Sequence, residues 1–424
     1  MVAARVAVVG GGLAGLAAAQ TLQQAGFTVD LFERSRLLGG RATSFEVDGR
    51  VVDNGQHVYL ACCTQFIDFV RAAGMGRFLY QQDRFAVEVY SAEGTRSALR
   101  AADLPPPFHL LASFVFYRHL GWRAKGQIAR ALIELLRTPE IPADETFACW
   151  LDRAGQGEEA VRAFWDPFLV PALNAPLDRM SAAEAAFVVC TAFLRDRDAA
   201  RFGYALVPLA RIMEAAASRL HAVHRSVAVS KAEVGNRIVL QTPSSRHEFD
   251  GAVLAVPPRA LERMLGDPAA LGIPPLHVYE PFAIMDVHLW HDRSALAFDF
   301  AALLESPVQW IFQKAPGYLC CSASAASDLA RMPSARAATL VWDELRRRLP
   351  PLREATLLQS AVTRNPEGTY LCAPGAARPG PQTSARNLTI AGSWTATGWP
   401  DTMESAVRSG KAAACSLMEA FAAR

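Results

Sequence analysis

Apolar positions near the start of the chain change period twice before residue 34. Arg5 to Val9 is a short β-branched run that predicts a buried strand, and an alanine-rich stretch through Leu22 and Gln24 carries the repeat of a helix. A second strand runs from Thr28 to Phe32 and ends in Glu33. Gly10-Gly11-Gly12-Leu13-Ala14-Gly15 stands between the first strand and the helix, so the order is strand, glycine turn, helix, strand. Part of that order returns far along the chain. Asn387 to Ala391 reads as a buried strand running into Gly392, and Trp399-Pro400-Asp401-Thr402-Met403-Glu404 opens a long helix through Ala422.

The middle reads differently. Residues 104–200 are mainly helical by pattern, with proline breaks at Pro105-Pro106-Pro107 and from Pro139 to Pro142. A helix is expected from Val207 to Leu220, followed by a hairpin-like stretch bracketed by Arg237 to Leu240 and Gly251 to Pro258. Residues 275–372 look mixed, with strands over Phe282 to Trp290 and around Val308 to Phe312, then a helix from Ala335 to Leu349. Phe108 to Tyr117 is the most apolar helix candidate of the middle. It is far shorter than the roughly 18 to 20 residues of a membrane span, so it either packs in a core or lines an entrance for lipid.

The glycine turn carries chemistry. Gly10 permits the tight turn, Gly12 lets the backbone approach a pyrophosphate, and Gly15 lets helix and strand pack closely, with the helix N-terminus free for phosphate charge. Glu33, eighteen residues beyond Gly15, stands where a carboxylate accepts the hydroxyl protons of an adenosine ribose. The unit as a whole predicts dinucleotide binding.

Composition narrows the class. The 424 residues are 51% hydrophobic, enough for two or three intertwined domains. Forty-three basic and 41 acidic side chains leave a net charge of +2 with no block of like charge, which disfavours a nucleic-acid partner. The chain runs directly into the strand–turn–helix unit without signal-peptide anatomy, so a soluble, cytoplasmic protein is expected, with peripheral contact to the cytoplasmic face of a membrane as an option. Eight cysteines include the pairs Cys62-Cys63 and Cys320-Cys321 but no spacing suited to zinc, so no metal is expected and the thiols are read as reduced core residues.

Two further segments decide between nicotinamide and flavin. Arg36-Leu37-Leu38-Gly39-Gly40-Arg41 and Asp53-Asn54-Gly55-Gln56-His57 resemble the flavoprotein amine oxidase and carotenoid desaturase superfamily. The resemblance implies FAD, and an α/β fold: a Rossmann-type FAD-binding domain interleaved with a mixed-sheet and helical substrate domain. The expected FAD-binding pieces are 1–73, 203–262 and 375–424, with 74–202 and 263–374 forming the substrate domain. Val253 to Pro258 is similar to the strand by which this superfamily re-enters the FAD domain. The implied cofactor contacts are Gly10, Gly12, Leu13, Ala14, Gly15, Glu33, Arg34, Gly39, Gly40, Arg41, Gly55, Gln56, His57, Val227, Gly392, Ser393, Thr402 and Met403. Val227 is expected to meet adenine with its backbone, and Arg41 to offer a planar cation to the diphosphate. Where the superfamily has an aspartate on the ribityl chain, this sequence has Ser393, a hydroxyl in place of an ionised acceptor.

Finer motifs narrow the reaction. Asp53 to His57, Phe164-Trp165-Asp166-Pro167-Phe168 with Ala172-Leu173-Asn174-Ala175-Pro176, and Trp394 to Pro400 ahead of Met403-Glu404 resemble the squalene-associated branch, the bacterial hydroxysqualene dehydroxylases. That resemblance implies reductive loss of a hydroxyl from a long isoprenoid, with hydride from reduced flavin and a proton from a general acid. Asp166, crowded by Trp165, Pro167 and Phe168, is one candidate acid, the alternative being a solvated or capping aspartate. His57 is the other, unless it only hydrogen-bonds cofactor and backbone. Glu404 is expected to fix its loop. A second G-x-G-x-x-G is absent, so electrons come from NADPH directly or from a separate reductase. The rival expectations are oxidative desaturation of a polyene and a flavin-free lipid carrier of the same fold. Oligomeric state is not legible.

Overall fold

A computed structural model of the chain describes residues 4–137, 141–294, 296–326 and 328–423. Two sheets organise it. The first has five parallel strands in the order Ala222–Arg225, Thr28–Glu33, Arg5–Val9, Gly251–Leu254 and Leu388–Ile390. Strands of a parallel sheet are covered on both faces, which is why Val6, Ala7 and Val8 are all fully buried. Helices Leu13–Gln24 and Met403–Ala422 share one core with this sheet through Leu16, Leu22, Val407 and Leu417. They cross at close range: a Cβ on Gly410 would lie 2.1 Å from the Ala14 carbonyl oxygen. Strands Lys231–Val234, Ile238–Gln241 and Arg246–Phe249 form a small antiparallel sheet, so the expected hairpin has a third strand; its Ile238, Leu240 and Phe249 share a core with Ala7, Val9 and Phe32.

The second sheet has seven strands, in the order Leu357–Cys372, Tyr279–His291, Tyr318–Ser324, Trp310–Ala315, Phe300–Leu303, Ala86–Tyr90 and Arg96–Arg100. All neighbours are antiparallel except Phe300–Leu303 with Ala86–Tyr90. Helix Ser334–Arg348 packs on one face through Val341 and Leu345, against Met285, Val287 and Leu289. The opposite face meets the helical segments between residues 108 and 194, where Trp150, Trp165 and Leu169 join Phe300, Trp310 and Phe312 in one core. A three-stranded sheet of Val58–Leu60, Phe202–Ala205 and Leu79–Gln81 links chain on both sides of residue 73.

Some expected elements change shape. The helix foreseen from Val207 to Leu220 is Leu209–Ala217, because Pro208 sets its start. Phe108 to Tyr117 is a 3-10 turn, Phe108–Leu110, and a five-residue helix, Leu111–Val115, rather than one apolar helix. Its side chains divide: Tyr117 is buried, whereas Phe108, Leu111 and Phe116 are exposed. Pro139, in the second proline break, lies outside the described residues. No helix among the described residues is long and apolar enough to cross a membrane.

Candidate functional site

A cavity of about 1310 Å³ opens where strand Arg5–Val9 gives way to helix Leu13–Gln24. Gly10 adopts φ +106°, and a Cβ there would lie 2.3 Å from the Ala255 carbonyl oxygen, so no other residue fits the turn. Gly12 faces the cavity instead, where a Cβ would meet nothing closer than the Gly39 carbonyl oxygen at 4.0 Å. Its bare backbone is a cradle left open for a ligand. Gly12 caps the helix without a side-chain bond, leaving first-turn N–H groups of Leu13 and Ala14, both in the cavity wall, available to an anion. The Glu33 carboxylate accepts from Gly11 N at 2.7 Å and Ser35 N at 2.8 Å, which fixes it at the cavity rim with acceptor capacity to spare. These groups suit the diphosphate and ribose of a dinucleotide.

Arg41 is more committed than its sequence setting suggested. Both terminal guanidinium nitrogens pair with Asp401 at 3.0 Å, one also donates to Ser393 Oγ at 2.6 Å, and the other to the Gly368 carbonyl at 3.1 Å. Burial opposes the guanidinium charge, but the Asp401 carboxylate outweighs it and raises the Arg41 pKa. Arg41 lines the cavity, where the diphosphate was expected to meet it, with its two terminal nitrogens paired to a carboxylate. Asp401 also accepts from Tyr370 N at 2.6 Å, and thus brings to Arg41 the negative charge that Ser393 lacks. Thr402 caps helix Met403–Ala422 by accepting from Ser405 N at 3.3 Å. Glu404, fully buried, accepts from Phe66 N and Gln65 N at the start of helix Thr64–Ala72 and pairs with Arg408 at 2.7 Å, a structural role.

The segment Asp53 to His57 crosses the cavity floor. Asp53 accepts from Ser44 Oγ at 2.6 Å and Leu209 N at 3.0 Å, and lies 3.6 Å from Lys314 Nζ. His57 Nε2 stands 3.2 Å from Asn54 Oδ1, and burial pushes the imidazole pKa down to about 4, so the ring is neutral near pH 7. Beneath them lies Asp286, 1% exposed, whose Oδ1 accepts from Gln56 N at 3.1 Å. Its Oδ2 has no hydrogen-bond partner among the described residues, nor does the buried Gln56 Nε2. Burial pushes the Asp286 pKa up to about 6.

Beyond the cradle the wall turns aromatic, with Phe168, Phe187, Phe193, Phe202, Trp310 and Phe312. Trp310 anchors this group: its ring centroid lies 5.3 Å from Phe202 and 6.0 Å from Phe168, and its Nε1 donates to the Pro167 carbonyl at 3.0 Å. Two π-helical turns, Val161–Trp165 and Cys190–Leu194, border this wall, and the second contributes Thr191, Ala192 and Phe193. Asn174, left-handed at φ +51°, ends helix Asp166–Leu173 and ties it to the second sheet. Its amide donates to Phe282 O at 3.1 Å and Thr369 Oγ1 at 2.9 Å, and its oxygen accepts from Ala325 N at 2.7 Å.

The structure brings Gly10, Gly12, Leu13, Ala14, Glu33, Arg34, Gly39, Gly40, Arg41, Gln56, His57, Val227, Gly392, Ser393, Thr402 and Met403 to the cavity wall. Gly15 and Gly55 lie behind it, packing backbone against Gly10 and Asp286. Asp166 is a correction. It stands exposed on the outside of its helix and does not line the cavity, although apolar neighbours raise its carboxyl pKa by desolvation; Phe168, two residues on, points inward instead. Val227 is a second correction, because its N–H donates to the Glu33 carbonyl at 3.0 Å and only its carbonyl remains for a ligand. Val229 lines the same wall with an amide that has no partner among the described residues. Cys62 and Cys63 both line the cavity, and Cys63 also packs against the core beneath the first sheet. Sequence reasoning passed over Asp286, which the alternation of Ile284, Asp286 and His288 along an apolar strand signals.

From residue 13 to residue 418 the chain matches the flavin containing amine oxidoreductase family. It is 27% identical to the hydroxysqualene dehydroxylase of Sinorhizobium fredii over 96% of its own length and 97% of that protein's. The hydroxysqualene dehydroxylase of Rhodopseudomonas palustris gives the same three figures. A zeta-carotene desaturase of Arabidopsis thaliana is 22% identical, covering 98% of this chain and 85% of that one. Solved structures with the same fold include a redesigned putrescine oxidase, at TM-score 0.77 and 18% identity over 98% of this chain and 99% of that one. The cyclohexylamine oxidase of Brevibacterium oxydans superposes at TM-score 0.73 with 18% identity, covering 99% of this chain and all of that one. Because the family match runs through both sheets and the cavity between them, the chain belongs to the flavin containing amine oxidoreductases and is an FAD-dependent oxidoreductase.

Proposed function

We propose that the protein removes the hydroxyl of hydroxysqualene reductively, giving squalene. The observation that carries this reading is the likeness to hydroxysqualene dehydroxylases over 96% of the chain. The aromatic cavity wall, suited to a long hydrocarbon, supports it. Leu13 and Ala14 would hold the FAD diphosphate, Glu33 the adenosine ribose, and Val227 with Val229 the adenine. Gly39, Gly40, Gln56, His57, Gly392, Ser393, Thr402 and Met403 would surround the remainder, with Arg41 and Asp401 as a fixed pair. Bound and reduced, FAD supplies hydride to the carbon that loses its hydroxyl. The faces of Phe168, Phe202 and Trp310 would stabilise positive charge on that carbon and keep water from recapturing it. A neutral His57 orients the floor of the site rather than donating a proton.

The test is anaerobic. Chemically reduced holoenzyme mixed with hydroxysqualene in detergent is expected to regain its oxidised-flavin absorbance with a matching yield of squalene. Flavin that stays reduced in folded protein overturns the reading and favours oxidised enzyme acting on a polyene, which the zeta-carotene desaturase likeness supports as the second reading. A purified protein that takes up no FAD would favour a lipid carrier. Following flavin reduction by NADPH alone decides whether a separate reductase is needed.

An apolar substrate of this size resides in lipid, and the surface offers one place to meet it. Phe116 is 79% exposed and Trp122 73%, with Leu104, Phe108 and Leu111 exposed in the same segment. From residue 104 to residue 133 there is no Asp or Glu, while Arg118, Arg123 and Arg130 are exposed. Aromatic rings run inward from this segment, Phe114 to Phe164 at 5.8 Å, Phe164 to Phe168 at 5.9 Å, then Trp310. Contact with an anionic bilayer on the cytoplasmic side follows as part of the proposal.

A further inference from the structure

The proposed reaction needs a proton on the departing hydroxyl, and neither candidate from the sequence supplies it: Asp166 faces solvent and His57 is neutral. Asp286 has the required setting. It lies on strand Tyr279–His291, on the face that also presents Ile284 to the cavity, and directly opposite Ser322, a cavity-wall residue on strand Tyr318–Ser324. Behind the backbone of Gly55 its Oδ2 is unpartnered, so close that a Cβ on that glycine would come within 3.1 Å of it and 3.8 Å of His57 Nε2.

The groups facing Asp286 come from four elements. Gln56 N donates to Oδ1 from the floor segment, and Cys320 Sγ lies 3.7 Å from the same oxygen. Thr363 stands opposite on strand Leu357–Cys372, and His288 follows on its own strand, with Nδ1 2.8 Å from Tyr318 OH. The nearest cation, Lys314, is paired with Asp53, and His57 and His288 are neutral because burial pushes each to about pKa 4. No positive charge is dedicated to this carboxyl, and an unpaired buried carboxylate is costly, so Asp286 holds its proton to a higher pH than a solvated aspartate, up to about 6.

We propose that Asp286 is the store of the proton delivered to the leaving hydroxyl, through the Ser322 hydroxyl at the cavity wall. The inference rests on the dehydroxylation reading. The Asp286 O–H bond breaks as the Ser322 hydroxyl passes its own proton to the substrate oxygen and is reprotonated. The substrate C–O bond would break with loss of water, and the hydride for the new C–H bond is what bound, reduced FAD would supply. Asp286 is not part of the cavity wall and acts through Ser322, so it is a positioning residue that sets where the proton stands. Lys314 and Asp53, both partly open to solvent, lie on the side from which the proton is replaced.

The test is a single-turnover pH series on reduced holoenzyme with hydroxysqualene, alongside infrared titration of the oxidised holoenzyme. The wild type is expected to show a protonated carboxyl C=O band that titrates near pH 6 and a flavin reoxidation rate that falls up to tenfold per pH unit above it. Asp286→Asn should lose that band, slow at least a hundredfold and flatten the profile. Should the Asn variant lose FAD, Ser322→Ala carries the kinetic arm: it should keep the infrared band yet turn over at least tenfold more slowly. A wild type that turns over beside an Asn variant with unchanged band or unchanged pH profile overturns the Asp286 assignment alone. A wild type that makes no squalene overturns the functional reading, and this inference with it.

Discussion

At the residue scale, the Arg41 and Asp401 pair carries a definite stability consequence. Arg41→Ala leaves the Asp401 carboxylate, 6% exposed, with only the Tyr370 N–H. Breaking a fully buried pair costs ~3–5 kcal/mol, and with 32% of the Arg41 side chain exposed the expected loss is about 2 kcal/mol, read as a lower urea midpoint together with weaker FAD retention. Asp286 predicts a dependence of stability on pH. Its folded pKa lies above its unfolded value, so its contribution is fully favourable below the unfolded pKa near 4 and is lost as pH rises through about 6. The Tm of Asp286→Asn relative to wild type should therefore rise between pH 3 and pH 8, by the equivalent of at most ~3 kcal/mol. A difference in Tm independent of pH would show that Asp286 is ionised throughout.

At the scale of elements, the glycine unit and both long terminal helices were legible because their signals are local. A β-branched run, a glycine turn and a small-residue helix stand next to one another in sequence and need no distant partner to be read. The acid was not legible. Bulky neighbours surround Asp166 in sequence, yet Val161–Trp165 winds as a π-helix and the residues after it are set so that Phe168 faces the cavity while Asp166 faces water. Alternation along its own strand signals an inward-facing Asp286, but the groups that bury it come from strands Tyr318–Ser324 and Leu357–Cys372, more than thirty residues away. The end of helix Asp166–Leu173 gives an element-scale test. Asn174→Ala removes three hydrogen bonds and strains a left-handed position, for a loss of about 3 kcal/mol in denaturant unfolding. Asn174→Gly should recover only the backbone share.

At the scale of the whole molecule, the rings of Phe114, Phe164, Phe168 and Trp310 connect the exposed apolar segment to the cavity wall, as the proposed membrane contact requires. Phe116→Ser with Trp122→Ser should reduce binding to vesicles containing anionic phosphatidylglycerol at least tenfold in a flotation assay, while FAD absorbance and Tm stay near wild type, because both side chains already face solvent. Equal binding by the double variant would place the lipid contact elsewhere. Raising salt should weaken wild-type binding, since Arg118, Arg123 and Arg130 contribute through charge.

The cofactor cradle joins parts of the chain made at very different times. Gly10 to Glu33 emerge early, but strand Leu388–Ile390 and helix Met403–Ala422, which close the same sheet and cover helix Leu13–Gln24, follow only after hundreds of intervening residues. During synthesis the apolar face of Leu13–Gln24 has no native cover, and Ser393, Thr402 and Met403 are not yet there to complete the pocket. FAD capture therefore waits for the segments beyond residue 387, which supply the last strand of the sheet and the far wall of the pocket.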